Sequence, residues 1–443
     1  MDGVRAHPLR HFGSEQFGHA GLLDAGLAGI ATAHYLCSNH GISSVLLIDR
    51  EQPMSYTSAQ SGDNYRNWWP HPTMTAFTND SIDLMERLAR DTDNVFNMRQ
   101  TGYVLATRNE DIDDVLAALG SGTAVDVISG RQKIRDSFPA LAEDIQNVIH
   151  IRRAGDISGQ QLGQYMLEQV RDAGGKLLDG DVTGIARTTS GKRFDLVVEN
   201  AHGETIVRAR KIVNAAGPFA QHIATMLDTE LPIKNVFQQK IAFEDVRGAV
   251  PRNMPLTIDM DAKLLDWTNE ERELLRDDPK HAYLVDVMPA GTHCRPEGGR
   301  HGNWVKLGWA YNTASSEPQR ELANEPRKDP QFPEIVLRGA AAMIPALATY
   351  VESPPSRFSH YGGYYTMTDE NWPLIGPMGC DGAYMVAALS GFGSMAACAA
   401  GKLCAATICG DKLPPYAGNL SLERFSDTGL MAELTGSSNK GLL

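Results

Sequence analysis

Residues 19–50, HAGLLDAGLAGIATAHYLCSNHGISSVLLIDR, decide the fold. Residues 20–23 are a short apolar run that reads as the end of a buried strand. The turn Asp24-Ala25-Gly26-Leu27-Ala28-Gly29 follows. Ile30, Ala33, Leu36 and Cys37 then recur at helical spacing, and Asn39-His40-Gly41 stops the helix, with Gly41 suited to a left-handed cap. Residues 45–48 form a second apolar strand, closed by Asp49 twenty positions after Gly29. Together these make a βαβ unit with the parts that a dinucleotide needs. Glycine lets the backbone approach a pyrophosphate, the helix N-terminus presents N–H groups to it, and a carboxylate accepts from ribose hydroxyls. One position departs: a full G-x-G-x-x-G has glycine where this chain has Asp24. A carboxylate there would repel the pyrophosphate.

The 443 residues are too many for one simple core, so two domains are expected. Hydrophobic and charged contents of 42% and 21% are those of a globular protein, and a net charge of −13 argues against a nucleic-acid or anionic-membrane partner. The six cysteines show no C-x-x-C pair and no metal-ligand spacing, so no metal is expected and buried reduced thiols are the preferred reading. That reading suits a cytoplasmic protein. No apolar run reaches the roughly 18 residues of a membrane span. Residues 1–18 are polar and lack the apolar stretch of a signal peptide, so a mobile N-terminal arm is expected.

Along the chain, residues 51–72 read as loop, 75–89 as an amphipathic helix, and 160–173 as a helix ended by Gly174-Gly175. Residues 194–200 and 205–209 read as a hairpin, 211–214 as a buried strand, and 236–243, 283–288 and 304–310 as strands. The layout is α/β with α+β character: a discontinuous Rossmann-like nucleotide domain and an inserted antiparallel-sheet substrate domain. The nucleotide domain takes residues 19–92, 150–231 and 355–420; the substrate domain takes 93–149 and 232–354; residues 421–443 form a C-terminal tail.

Three further stretches carry a resemblance. They are Val213-Asn214-Ala215-Ala216-Gly217-Pro218; residues 362–401, GGYYTMTDENWPLIGPMGCDGAYMVAALSGFGSMAACAAG; and Arg295-Pro296-Glu297 with Val305-Lys306-Leu307-Gly308. Within the second, Thr368-Asp369, Pro373-Leu374-Ile375-Gly376 and Ser390-Gly391-x-Gly393 stand out. Together these stretches resemble the D-amino-acid oxidase-like FAD-dependent oxidoreductases, which include glycine oxidase and monomeric sarcosine oxidase. The resemblance spans roughly residues 19–415. It implies noncovalent FAD, because Gly363 stands about where sarcosine oxidase attaches its flavin to a cysteine. It places Ala25, Gly26, Ala28, Gly29, Asp49, Arg50, Ser58, Ala59 and Val182 along the cofactor. Ala216, Gly217, Gly362, Gly391, Phe392, Gly393 and Ser394 are expected toward its flavin half.

The resemblance also names site residues. Lys306 matches a lysine that promotes reaction with oxygen, where a fixed cation stabilises developing superoxide. Arg66, flanked by Trp68 and Trp69, suits a substrate carboxylate and an apolar or cationic remainder. Tyr364 and Tyr365 are expected to line the pocket. Met395 stands where sarcosine oxidase uses a lysine for the substrate carboxylate, so sarcosine itself is not the expected substrate. His71 and His293 read as structural histidines.

The expected function is oxidation of the C–N bond of a small-molecule amine or amino acid by hydride transfer to the flavin, with oxygen as acceptor. Two alternatives stay open: a dehydrogenase passing electrons to a quinone or a protein, and a non-catalytic protein whose flavin site has decayed at Asp24. The oligomeric state stays open, a homodimer included.

Overall fold

The computed structural model describes residues 20–118, 125–188 and 191–436. The expected N-terminal arm, 1–18, lies outside the described residues.

The first sheet has six strands in the order Leu374–Pro377, Ala383–Ala387, Lys211–Asn214, Ala20–Leu23, Val45–Asp49 and Lys176–Asp179. All neighbours are parallel except the first pair, a hairpin. Its central strands are apolar without alternation because both faces are covered. Leu22, Val45, Leu47 and Val213 face a helical layer that includes Leu27–His40, Pro72–Asp91, Gly159–Asp172 and Gly393–Cys409. Leu23, Leu46, Ile48 and Ile212 face a three-stranded antiparallel sheet, Asp181–Arg187, Phe194–Asn200 and Gly203–Ala209. The helix Leu27–His40 ends at Gly41 with φ 63°, as its sequence requires. A Cβ at Gly401 would lie 2.5 Å from the Ala31 carbonyl carbon, so glycine lets helices Leu27–His40 and Gly393–Cys409 cross at close range.

The second sheet has eight strands: Phe358–Met367, Lys234–Glu244, Trp304–Gly308, His293–Glu297, Leu256–Asp259, Tyr103–Thr107, Asn147–Ile151 and Val125–Ser129. Only Leu256–Asp259 and Tyr103–Thr107 pair in parallel. The helix Phe332–Met343 buries Phe332, Ile335, Val336 and Ala340 in the core under this sheet. Phe358–Met367 falls within the segment assigned by sequence to the nucleotide domain, yet it pairs along its whole length with Lys234–Glu244. Residues 150–151, likewise assigned to the nucleotide domain, belong to this sheet as the end of the strand Asn147–Ile151.

Three local expectations change. Residues 283–288 are not a strand; Ala282–Val285 is a 3₁₀ turn. Residues 269–277, charged and assigned no element from the sequence, hold a helix, Asn269–Asp277, started by a capping box in which Thr268 and Glu271 exchange hydrogen bonds. The expected tail from residue 421 packs on the body as far as it is described: the Arg424 guanidinium is fully buried against Glu370, with Nε 2.7 Å from Oε1.

Candidate cofactor and substrate site

A cavity of about 1080 Å³ opens at the carboxyl ends of the parallel strands, beside Leu23, Ile48, Ala215 and Ala387. This is where open α/β sheets bind ligands. The second sheet closes the other side with Asn235, Lys240, Tyr364 and Tyr365.

At the glycine turn, Gly26, Ala28, Asp49, Arg50, Ser58 and Val182 line the cavity, with Asp24 among them. Ala25 and Gly29 are buried beneath the wall, and Ala59 does not reach it. A Cβ on Gly29 would lie 2.2 Å from the Asp24 carbonyl oxygen, so this glycine sets how closely helix and strand approach. Asp24 adopts φ 98°, the left-handed region that glycine takes freely. Its carboxyl accepts from Gly26 N at 2.5 Å, and Asp49 Oδ2 accepts from Ala25 N at 2.8 Å. Burial first, and the Asp49 carboxylate alongside second, push the Asp24 carboxyl well above the usual carboxylate range. The Arg50 guanidinium stacks 4.3 Å from the Phe219 ring.

At the far end, Ala216, Gly217, Gly391, Gly393 and Ser394 line the cavity. The loop after Ala383–Ala387 puts two non-glycine residues, Ala388 and Ser390, in the left-handed region, at φ 56° and 46°. The helix Gly393–Cys409 then begins with no acidic residue in its first turn, so its positive end faces no neutralising side chain of its own. A Cβ on Gly391 would meet the Tyr365 ring at 2.5 Å. Gly362 and Phe392 lie outside the wall, the first packed on Phe237 and the second under Trp69, whose ring meets it edge-on at 4.8 Å. Ser394 Oγ donates to Asp63 at 3.0 Å and lies 2.7 Å from Ser61 Oγ.

The residues expected around the substrate separate. Tyr364 and Tyr365 line the cavity; the Tyr364 hydroxyl donates to Glu325 and accepts from Gln319 N at 2.9 Å. Arg66, Trp68 and Trp69 do not line it. Arg66 is buried, donates from Nε to Trp68 O at 3.1 Å, and lies 5.1–5.9 Å from the rings of Trp69, Tyr103 and Trp68. The aromatic neighbours that suggested a pocket instead enclose the arginine. Lys306 is also outside the wall; its Nζ is paired with Glu297 Oε2 at 3.0 Å, and the same carboxylate oxygen holds Arg295 at 2.7 Å. Burial raises the Glu297 carboxyl, but Arg295 and Lys306 outweigh it and hold the group below the usual range.

A buried cation that does line the cavity is Lys240, which sequence reasoning passed over. It is 8% exposed; its Nζ lies 3.4 Å from Gln60 O and 5.4 Å from the centre of the Tyr365 ring. The available signal was Gln238-Gln239-Lys240, a polar run in the middle of a strand between the apolar pairs Val236-Phe237 and Ile241-Ala242. The two histidines are structural. His71 caps the helix Pro72–Asp91 by accepting from Thr73 N at 3.1 Å, and half-buried His293 bonds Gly291 O at 3.0 Å through Nδ1.

The chain is similar to human mitochondrial dimethylglycine dehydrogenase, 22% identical over 389 residues, which are 86% of this chain and 41% of that protein. The rat counterpart is 25% identical over 260 residues, 57% of this chain and 29% of its own length. This chain therefore spans about two fifths of the human relative, or less of the rat one. Among solved structures, L-proline dehydrogenase from P. horikoshii superposes with a TM-score of 0.72 at 18% identity, covering 93% of this chain and 98% of that one. Glycine oxidase from Geobacillus kaustophilus gives 0.70 at 16% identity, covering 91% and 98%. The family model for FAD dependent oxidoreductase, DAO, matches residues 25–407, and the chain belongs to that family.

Proposed function

We propose that this chain oxidises the C–N bond of an amine or amino acid bearing a carboxylate, and that Lys240 holds that carboxylate. One observation carries the reading: Lys240 is a buried ammonium in the cavity wall, and among the described residues no carboxylate forms an ion pair with it. A buried charge without a counter-ion is costly, and an anionic substrate group would supply one. The relatives named for dimethylglycine and glycine, both carboxylated amines, support the same substrate class.

The residues present fit FAD. Gly26 and Asp49 offer a close backbone and a carboxylate at one end of the cavity, and the helix start at Gly393, with no acidic residue in its own first turn, lies at the other. Gly391 leaves room that a Cβ would deny. Gly363, in the wall, offers no thiol for a covalent link, so FAD is held noncovalently. The chemistry FAD supplies when bound is acceptance of a hydride from the carbon bearing the nitrogen, leaving an imine that water hydrolyses. The chain's own residues bind and orient. Lys240 fixes the carboxylate, Tyr364 and Tyr365 wall the substrate, and the second sheet excludes water from it.

Oxygen is the acceptor we favour, because the same buried ammonium would stabilise developing superoxide charge. The test is anaerobic mixing with carboxylated amines, amino acids and plain amines, followed by admission of oxygen. Bleaching of the flavin band by a carboxylated amine, but not by its decarboxylated analogue, is expected. Equal bleaching by both would remove the role of Lys240. Bleaching without reoxidation in air would move the acceptor to a quinone or a protein.

A further inference from the structure

The start of the helix Leu27–His40 should present free N–H groups to the cofactor's pyrophosphate. Here three consecutive amides already have partners within the chain. Ala25 N donates to Asp49 Oδ2 at 2.8 Å, Gly26 N to Asp24 Oδ1 at 2.5 Å, and Leu27 N to Ser58 Oγ at 3.2 Å. Asp24 holds its place with φ 98°, a conformation that costs an aspartate more than a glycine. The bond to Gly26 N holds the carboxyl over the turn.

We propose that Asp24 is an internal stand-in for the FAD pyrophosphate: its carboxyl holds the Gly26 amide that the phosphate would use, and FAD binds in competition with that contact. The inference rests on the binding of FAD and is independent of which amine is oxidised.

The charge balance around Asp24 makes the competition depend on protonation. From the end of the second strand, Asp49 opposes its ionisation and Arg50 favours it. The first turn of the helix adds no acidic residue, and the segment Thr57–Gln60 brings only the Ser58 hydroxyl. Farther along the cavity wall are Asp181, which is paired with Arg320, and His222. The dominant neighbour is therefore the Asp49 carboxylate, which together with burial favours the neutral form of Asp24. Neutral Asp24 tolerates a phosphate beside it. Ionised Asp24 repels it.

The test is titration of flavin-stripped protein with FAD, followed by quenching of flavin fluorescence, from about pH 6 to about 9. The pyrophosphate stays ionised across this range, so its own titration does not contribute. For the unaltered chain, Kd should rise with pH, at most about tenfold per unit for one proton. Asp24→Asn, a neutral isostere, should remove the rise. Asp24→Gly, which relaxes the left-handed turn, should bind FAD about tenfold more tightly or better at the alkaline end. Equal affinities for all three proteins, or the same pH slope in Asp24→Asn, would overturn the role of Asp24 while leaving FAD binding intact. No FAD uptake by any of the three would overturn both.

Discussion

Lys240 and Lys306 project from the same face of the eight-stranded sheet, yet of the two only Lys240 lines the cavity and, among the described residues, only Lys306 has a carboxylate partner. Lys240 stands opposite Gly308, and Lys306 opposite Ala242, so the two lysines are offset by two residues across adjacent strands. Glu297, on the next strand, satisfies Lys306 and leaves Lys240 free for a ligand. Lys240→Met should therefore lower kcat/KM for a carboxylated amine by ten- to hundredfold, about 1.5–3 kcal/mol for a charge-assisted hydrogen bond. Lys306→Met should change it less than about threefold, the scale of a partly exposed pair. Steady-state kinetics on the two variants decide this; the reverse order would assign the carboxylate to Lys306 instead.

Arg66 is buried in the core and does not line the cavity. Arg66→Ala should destabilise the fold by about 2–4 kcal/mol, through a cavity among Trp68, Trp69 and Tyr103 and the lost bond to Trp68 O. Denaturant unfolding measures the loss. A KM effect confined to carboxylated substrates, with no change in stability, would show that the clamp exists after all.

Gly29→Ala should overpack the turn, since the new Cβ would meet the Asp24 carbonyl oxygen at 2.2 Å. A loss of about 1–3 kcal/mol is expected, together with weaker FAD retention. Thermal melts of the variant with and without added FAD would show it; an unchanged melt would mean that helix and strand can separate freely there.

Burial lowers His34 and His293 from the usual histidine value of 6.5 to about 4 each. A depressed folded value means that the unfolded chain binds protons first as pH falls. The stability from neutral burial is thus present above pH 6.5 and is lost between 6.5 and about 4. Urea midpoints should fall over this window, and His34→Phe should flatten the fall. A variant with the same acid slope as the unaltered chain would assign the loss to other groups.

The nucleotide half was legible in the sequence because its signals are local. The apolar run at residues 45–48, the stop at Gly41 and the acid at Asp49 each act within one βαβ unit. Ser390-Gly391-x-Gly393 likewise marks a strand-to-helix turn by its own residues. The substrate half was less legible because its roles are decided across strands. Nothing near Lys306 in sequence shows that Glu297 neutralises it, and nothing near Arg66 shows that Tyr103 closes its aromatic surround. The apolar run at 283–285 was ambiguous at its length, and the capping box at Thr268 was the overlooked signal that a helix begins there.

The visible absorption spectrum of the purified protein, taken before and after denaturation and filtration, is the most direct measurement. Noncovalent FAD in this cavity predicts a flavin band that passes wholly into the filtrate on denaturation and that a carboxylated amine bleaches anaerobically beforehand. A protein that shows no flavin band, even after incubation with FAD at low pH where Asp24 is neutral, would contradict the assignment of this cavity to a flavin.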